Sequence, residues 1–260
     1  MHVKPDFIFQ KMSKKDSAIT IACIVLTAAA INMSCEKTIF FSTDQDHTLY
    51  IETEEFDTIV INDIFNIELK SDTIFSIRLE GGEKLIKNIS ARTDNNSMHL
   101  KDNNSFKWLP DYPGVRITIS FPALAKMVLR SPSTITSSDT LYLDNFSIYS
   151  LGHTAIMDLT INAHRIRFTT DGNNFGHYTF RGYSRHAELW HRGSSKLFAA
   201  ELETEFMKIT NNSIADGYVY ANRQLIAVIN HYGSVYYRGN PDEIIIEEMS
   251  SRGYLYRLEE

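Results

Sequence analysis

The sequence predicts an all-β protein: a parallel β-solenoid with coils of about twenty residues over 127–260, preceded by a less regular β-rich half. Three observations carry this. Short alternating triplets recur at a near-constant spacing, turn residues recur at the same spacing, and helical periodicity is absent after the first few dozen residues.

The triplets are Met127-Val128-Leu129, Phe146-Ser147-Ile148, Ile166-Arg167-Phe168, Ala187-Glu188-Leu189, Met207-Lys208-Ile209 and Ile226-Ala227-Val228. Their starts are 19, 20, 21, 20 and 19 residues apart. Each reads as in, out, in, the alternation of a strand with one buried face. A second strand position follows eight residues later, taking Ile148 to Ile156, Leu189 to Leu197 and Val228 to Tyr236. Between the two lie Leu151-Gly152-His153, Asp171-Gly172-Asn173, Arg192-Gly193-Ser194, Asn211-Asn212-Ser213 and Tyr232-Gly233-Ser234. Glycine and asparagine are the residues that best tolerate a left-handed backbone, so these read as turns. An antiparallel sandwich is the competing arrangement, because its turns also recur every eight to twelve residues. Regularity over five successive intervals favours stacked coils.

Before residue 127, Ile59-Val60-Ile61, Ile67-Glu68-Leu69, Met98-His99-Leu100 and Val115-Arg116-Ile117-Thr118-Ile119 alternate without a common period. They define an N-terminal β-rich region over 53–126. At the other end, Ile244-Ile245-Ile246 and Tyr254-Leu255-Tyr256 are expected to cap the last coil.

The chain opens differently. Lys4, Lys11, Lys14 and Lys15 precede a nearly uninterrupted apolar run, Ala18 to Met33, that stops at Ser34-Cys35. A basic start, a short apolar stretch and small residues before a cut describe an export signal over 1–34. Cleavage there exposes Cys35, a pattern that resembles the lipobox of bacterial lipoproteins, although Asn32 stands where an aliphatic residue is usual. The expectation is a lipid on Cys35, a tether over 35–52 and attachment to the cell envelope, at the outer membrane. An uncleaved N-terminal anchor helix is the alternative.

Composition limits the chemistry. Both cysteines, Cys23 and Cys35, lie in the first 35 residues, so the body has no thiol for a disulfide, a thiolate metal site or a nucleophile. The net charge of −6 gives no electrostatic footprint for nucleic acid. No phosphate loop, dinucleotide fingerprint, nucleophile elbow or His-Glu-x-x-His motif occurs. His164, His177, His186, His191 and His231 match no metal-ligand spacing, so neither metal nor cofactor is expected. Glu201 and Glu203 are spaced as a carboxylate pair for glycoside hydrolysis, a chemistry that also needs convergence in a cleft. Tyrosines recur late in the repeat. Tyr220, Tyr232 and Tyr237 are the candidate binding surface, since exposed flat rings stack on sugars or on a protein partner.

Phe56-Asp57-Thr58-Ile59-Val60-Ile61, Phe121-Pro122-Ala123-Leu124, the coil-spaced glycine turns and the closing Gly233-Ser234-Val235-Tyr236-Tyr237-Arg238-Gly239-Asn240-Pro241 together resemble the putative auto-transporter adhesin, head GIN domain family. The resemblance runs over roughly residues 53 to 258. It implies a right-handed β-helix, frequent lipoprotein anchoring in Bacteroidetes-type bacteria, and a non-catalytic role in adhesion to a glycan or a protein. A periplasmic scaffold or sensor-associated protein, and a carbohydrate-active enzyme, remain the alternative functions.

Overall fold

The structure, a computed structural model, describes residues 47–105, 107, 112–250 and 252–259. Cys35 and the expected signal lie outside those residues. Residues 43–260 form one compact unit, and every core residue named below belongs to it.

The described residues build one continuous eighteen-stranded sheet that winds into a β-solenoid of about seven turns, 64% strand and 2% helix. Its regular part starts with β8 (Lys126–Leu129), β9 (Thr134–Ser137) and β10 (Leu141–Ser150). It continues through the long β11 (Ile156–Thr170), β12 (His177–Gly193) and β13 (Lys196–Ser213), each of which bends around corners to serve more than one side. Shorter strands finish it: β14 (Gly217–Tyr220), β15 (Gln224–Ile229), β16 (Val235–Arg238), β17 (Glu243–Met249) and β18 (Leu255–Arg257).

All neighbours in this part are parallel, so equivalent inward residues stack. One ladder runs Ile148, Phe168, Leu189, Ile209, Ala227; another runs Met157, Tyr178, Leu197, Gly217, Val235. These non-glycine residues are at most 1% exposed, including Ala227 and Val235 near the far end. Large rungs cluster in the middle of the stack: the ring of Phe168 lies 4.7 Å from Tyr178 and 5.0 Å from Phe180.

Four middle triplets stack as spaced, but the first and last steps do not. Met127 pairs with Ile148 rather than Phe146, and Met207 pairs with Leu225, which places Ile226 and Val228 outside. Ile156 and Tyr236 also face outward, with Met157 and Val235 inward. The cause is coil length: where a turn gains or loses one residue, the period-two alternation inverts. The turn glycines act differently from expectation too. Only Gly193 among the five turns has a positive φ, 78°. Gly233 is required because stacked turns approach closely; a Cβ there would lie 2.0 Å from the Ala215 carbonyl oxygen.

The N-terminal half belongs to the same stack, out of sequence order. β2 (Thr58–Ile61) and β3 (Asn66–Ser71) form a coil directly under β8 and β9. The chain then drops below that coil, so β6 (Ser97–Asp102) underlies β2 and β7 (Arg116–Phe121) underlies β3. Antiparallel strands close this end: β5 (Ile89–Asp94) on β6, and β4 (Ser76–Gly81) on β7. A single helical turn, α1 (Glu83–Ile86), joins β4 to β5. Outermost lies β1 (His47–Glu52), antiparallel to β4. The last six residues of the segment expected to be a tether are therefore a strand.

At the far end, β17 and β18 add one more parallel coil instead of an atypical cap. Its outer edges have no strand beyond them among the described residues.

Candidate binding surface

The coil that follows β13 is shorter on one side. Phe198 and Phe206 are eight residues apart, whereas their partners Tyr218 and Gln224 are six apart. The lost pair leaves a step in the wall above Glu201 and Glu203, and the step opens a groove of about 970 Å³. Tyr220, Arg238 and Gly239 form its upper wall, with Arg257 and Glu259 above them.

Leu202 is fully buried, so the alternation sends Glu201 and Glu203 outward together. Glu201 accepts from Arg181 Nε at 3.0 Å, and Arg181 also pairs with Asp158. Burial works against the Arg181 charge, but the hydrogen bonds and charges of Asp158 and Glu201 outweigh it and hold the guanidinium pKa above its ordinary value. Parallel stacking sets Arg238 beside Tyr220 in register. Gly239, at φ 91°, turns the chain there; a Cβ would lie 2.1 Å from the Ala221 oxygen, so only glycine fits. Arg257 Nη2 reaches the Gly239 oxygen at 3.4 Å and Asn240 Oδ1 at 3.3 Å, which orients its guanidinium along the rim. The result is a mixed-charge groove with one aromatic wall.

The three candidate tyrosines do not form one surface. Tyr220 lines the groove. Tyr237 pairs with fully buried Val219 and packs against the core. Tyr232 is 56% exposed in a turn, its ring against His231 and under Arg252. The stacked row of rings His177, Phe198, Tyr218, Tyr236 and Tyr256, with centroids 4.9 to 5.3 Å apart, was not anticipated. Ring faces in this row cover one another, so it stabilises the outside of the stack more than it offers faces to a ligand. Both the row and the groove were signalled by the coil period. Tyr220, Arg238 and Arg257 are 18 and 19 residues apart, and the five rings are spaced by 18 to 21.

Among the described residues no cluster of three or more His, Cys, Asp or Glu side chains is placed to hold a metal ion, and no helix is long and apolar enough to cross a membrane. His191 is fully enclosed, with Nε2 2.7 Å from the Ser195 oxygen. Burial pushes its pKa below the usual imidazole value, which makes it a neutral core residue.

The model of the putative auto-transporter adhesin, head GIN domain family matches residues 55–241, most of the solenoid from β2 past β16. The chain belongs to this family. Several proteins of known structure share its fold. A putative adhesin from Bacteroides fragilis is 19% identical, with 82% of this chain and 97% of that one covered at a TM-score of 0.75. A putative adhesin from Parabacteroides distasonis is 13% identical, with 83% and 98% covered at 0.61. A putative lipid binding protein from the same species is 14% identical, with 84% and 98% covered at 0.50. At these identities the likeness is one of fold. No curated protein matches the chain.

Proposed function

We propose that this head GIN protein is an envelope lipoprotein, held by a lipid on Cys35, that displays its solenoid for adhesion and binds a glycan or a protein in the groove beside Tyr220. The observation that carries the reading is the position of that groove. From β1, where the expected tether enters, the strands succeed one another as β4, β7, β3, β9, β11, β12, β13, β14, β16 and β18. At about 4.8 Å per strand the stack is roughly 48 Å long. The groove lies near its far end, where a displayed domain meets its target.

Glutamates, arginines and a tyrosine suit a polar ligand. Carboxylates accept sugar hydroxyls, guanidinium groups pair with acidic groups, and a ring packs on the apolar face of a pyranose. The lipid-binding name of the Parabacteroides distasonis neighbour brings lipid into consideration, but the charged rim favours a headgroup over an acyl chain. Binding of residues 43–260 to glycan arrays and to extracellular matrix proteins tests this. A ligand found there is expected to lose at least about tenfold in affinity, ~1.4 kcal/mol, with Tyr220→Ala or Arg238→Glu. Unchanged affinity in both variants would remove the groove from the function.

A further inference from the structure

The two ends of the solenoid are not equivalent. Antiparallel strands cover the β1 end, whereas the final coil continues the core ladders and then stops. Ile244 stacks on Leu225, Ile246 on Ala227 and Met249 on Ile229, so all three are inward residues of the last coil. Yet they are 43%, 48% and 45% exposed, against none at all for Leu225, Ala227 and Ile229. Tyr256 is likewise the last rung of the ring row, 44% exposed, with Tyr254 beside it. Among the described residues β17 pairs only with β15, so its seven-residue outer edge is a template for another strand.

We infer that this end self-associates: two copies meet tip to tip about a two-fold axis near Ile246, with β17 of each antiparallel to β17 of the other. A second copy fits because what covers each inner coil is another coil of the same chemistry, and the last coil of a second molecule presents the same apolar set and a free strand edge. A two-fold contact makes this one patch self-complementary and closes the association at two. With the proposed cleavage before Cys35, the expected tether would be too short to serve as the cover. It enters at β1, and the twelve residues from Cys35 to Asp46 span at most about 43 Å when fully extended, short of the roughly 48 Å stack. The glutamates of β17 do not forbid the contact, since Glu243 and Glu248 are engaged with Gln224 and Asn230 of the coil behind, and Glu247 with Lys208 two coils back. They do bring like charges to the seam, so added salt is expected to tighten it. On the anchored reading proposed above, copies on facing surfaces would join at their tips; the contact itself stands or falls independently of the anchor.

Sedimentation equilibrium of residues 43–260 tests the inference. The expected result is a mass of two chains that gains occupancy with salt. Ile246→Lys is expected to give a monomer with unchanged circular dichroism and melting, while Ile156→Lys, on the exposed side of the stack, leaves the dimer intact. Ile244→Lys repeats the test if Ile246→Lys alters melting. A monomer at every concentration, or a dimer indifferent to both end substitutions, overturns it. Failure would leave the Cys35 anchor and the groove untouched.

Discussion

Replacing Phe168 by alanine is expected to lower the unfolding free energy by about 4 kcal/mol. The side chain is completely enclosed, stacked in register between Ile148 and Leu189, with Tyr178 and Phe180 against its ring. Parallel strands above and below fix the height of its rung, so the walls cannot close on the space left behind. The penalty therefore includes a cavity as well as lost transfer free energy. Urea titration followed by circular dichroism measures it. Because a solenoid is stabilised mainly between neighbouring coils, the slope must be checked for a loss of cooperativity. A loss below about 1 kcal/mol would mean that the coils slide or collapse more freely than their register indicates.

Asn174→Ala is the second large effect, at about 3 kcal/mol from several orphaned buried groups. The side chain is fully buried at a corner between stacked turns. Its Nδ2 donates to the oxygens of Ser150 at 3.2 Å and Gly152 at 3.1 Å, and its Oδ1 accepts from Gly176 N and the Tyr178 hydroxyl, both at 2.8 Å. Tyr178 keeps a second partner in Ser150 Oγ, 2.6 Å away, and burial pushes its pKa up to about 12. Gly176 N has no such reserve and loses its side-chain acceptor. Thermal melting of the variant is the check. A wild-type melting temperature would show that water replaces the amide, against the tight packing of this corner.

Phe168 lies where the sequence was most readable, whereas the corner role of Asn174 was not signalled by any pattern in it. Phe168 is assigned inward by the in, out, in alternation of Ile166-Arg167-Phe168, one of six triplets at near-constant spacing. The N-terminal half was not legible in the same way. Its coil β2–β3 is covered by β8–β9 some 68 residues later and supported by β6–β7 inserted between them in sequence, so no single period describes it. Register at the two ends of the repeat was misjudged for a physical reason as well, since one extra turn residue inverts inside and outside. The groove shows the same division. Glu201 and Glu203 share a side by simple alternation, but Arg238 and Arg257 join them in the groove lining only through coil stacking, and the step that makes room comes from two residues missing in one turn. Tyr237 was placed with the exposed rings, whereas its register with Val219 packs it against the core.

Family membership and fold leave the anchored, outward display as the central proposal, and it rests on Cys35. The most direct measurement is membrane fractionation with protease shaving of intact cells that express the native chain or Cys35→Ala. The expected result is native protein in the membrane fraction and digested from outside, with the variant released from the membrane. Native protein that is membrane-bound yet fully protected in intact cells would contradict outward display and place the solenoid inside the envelope.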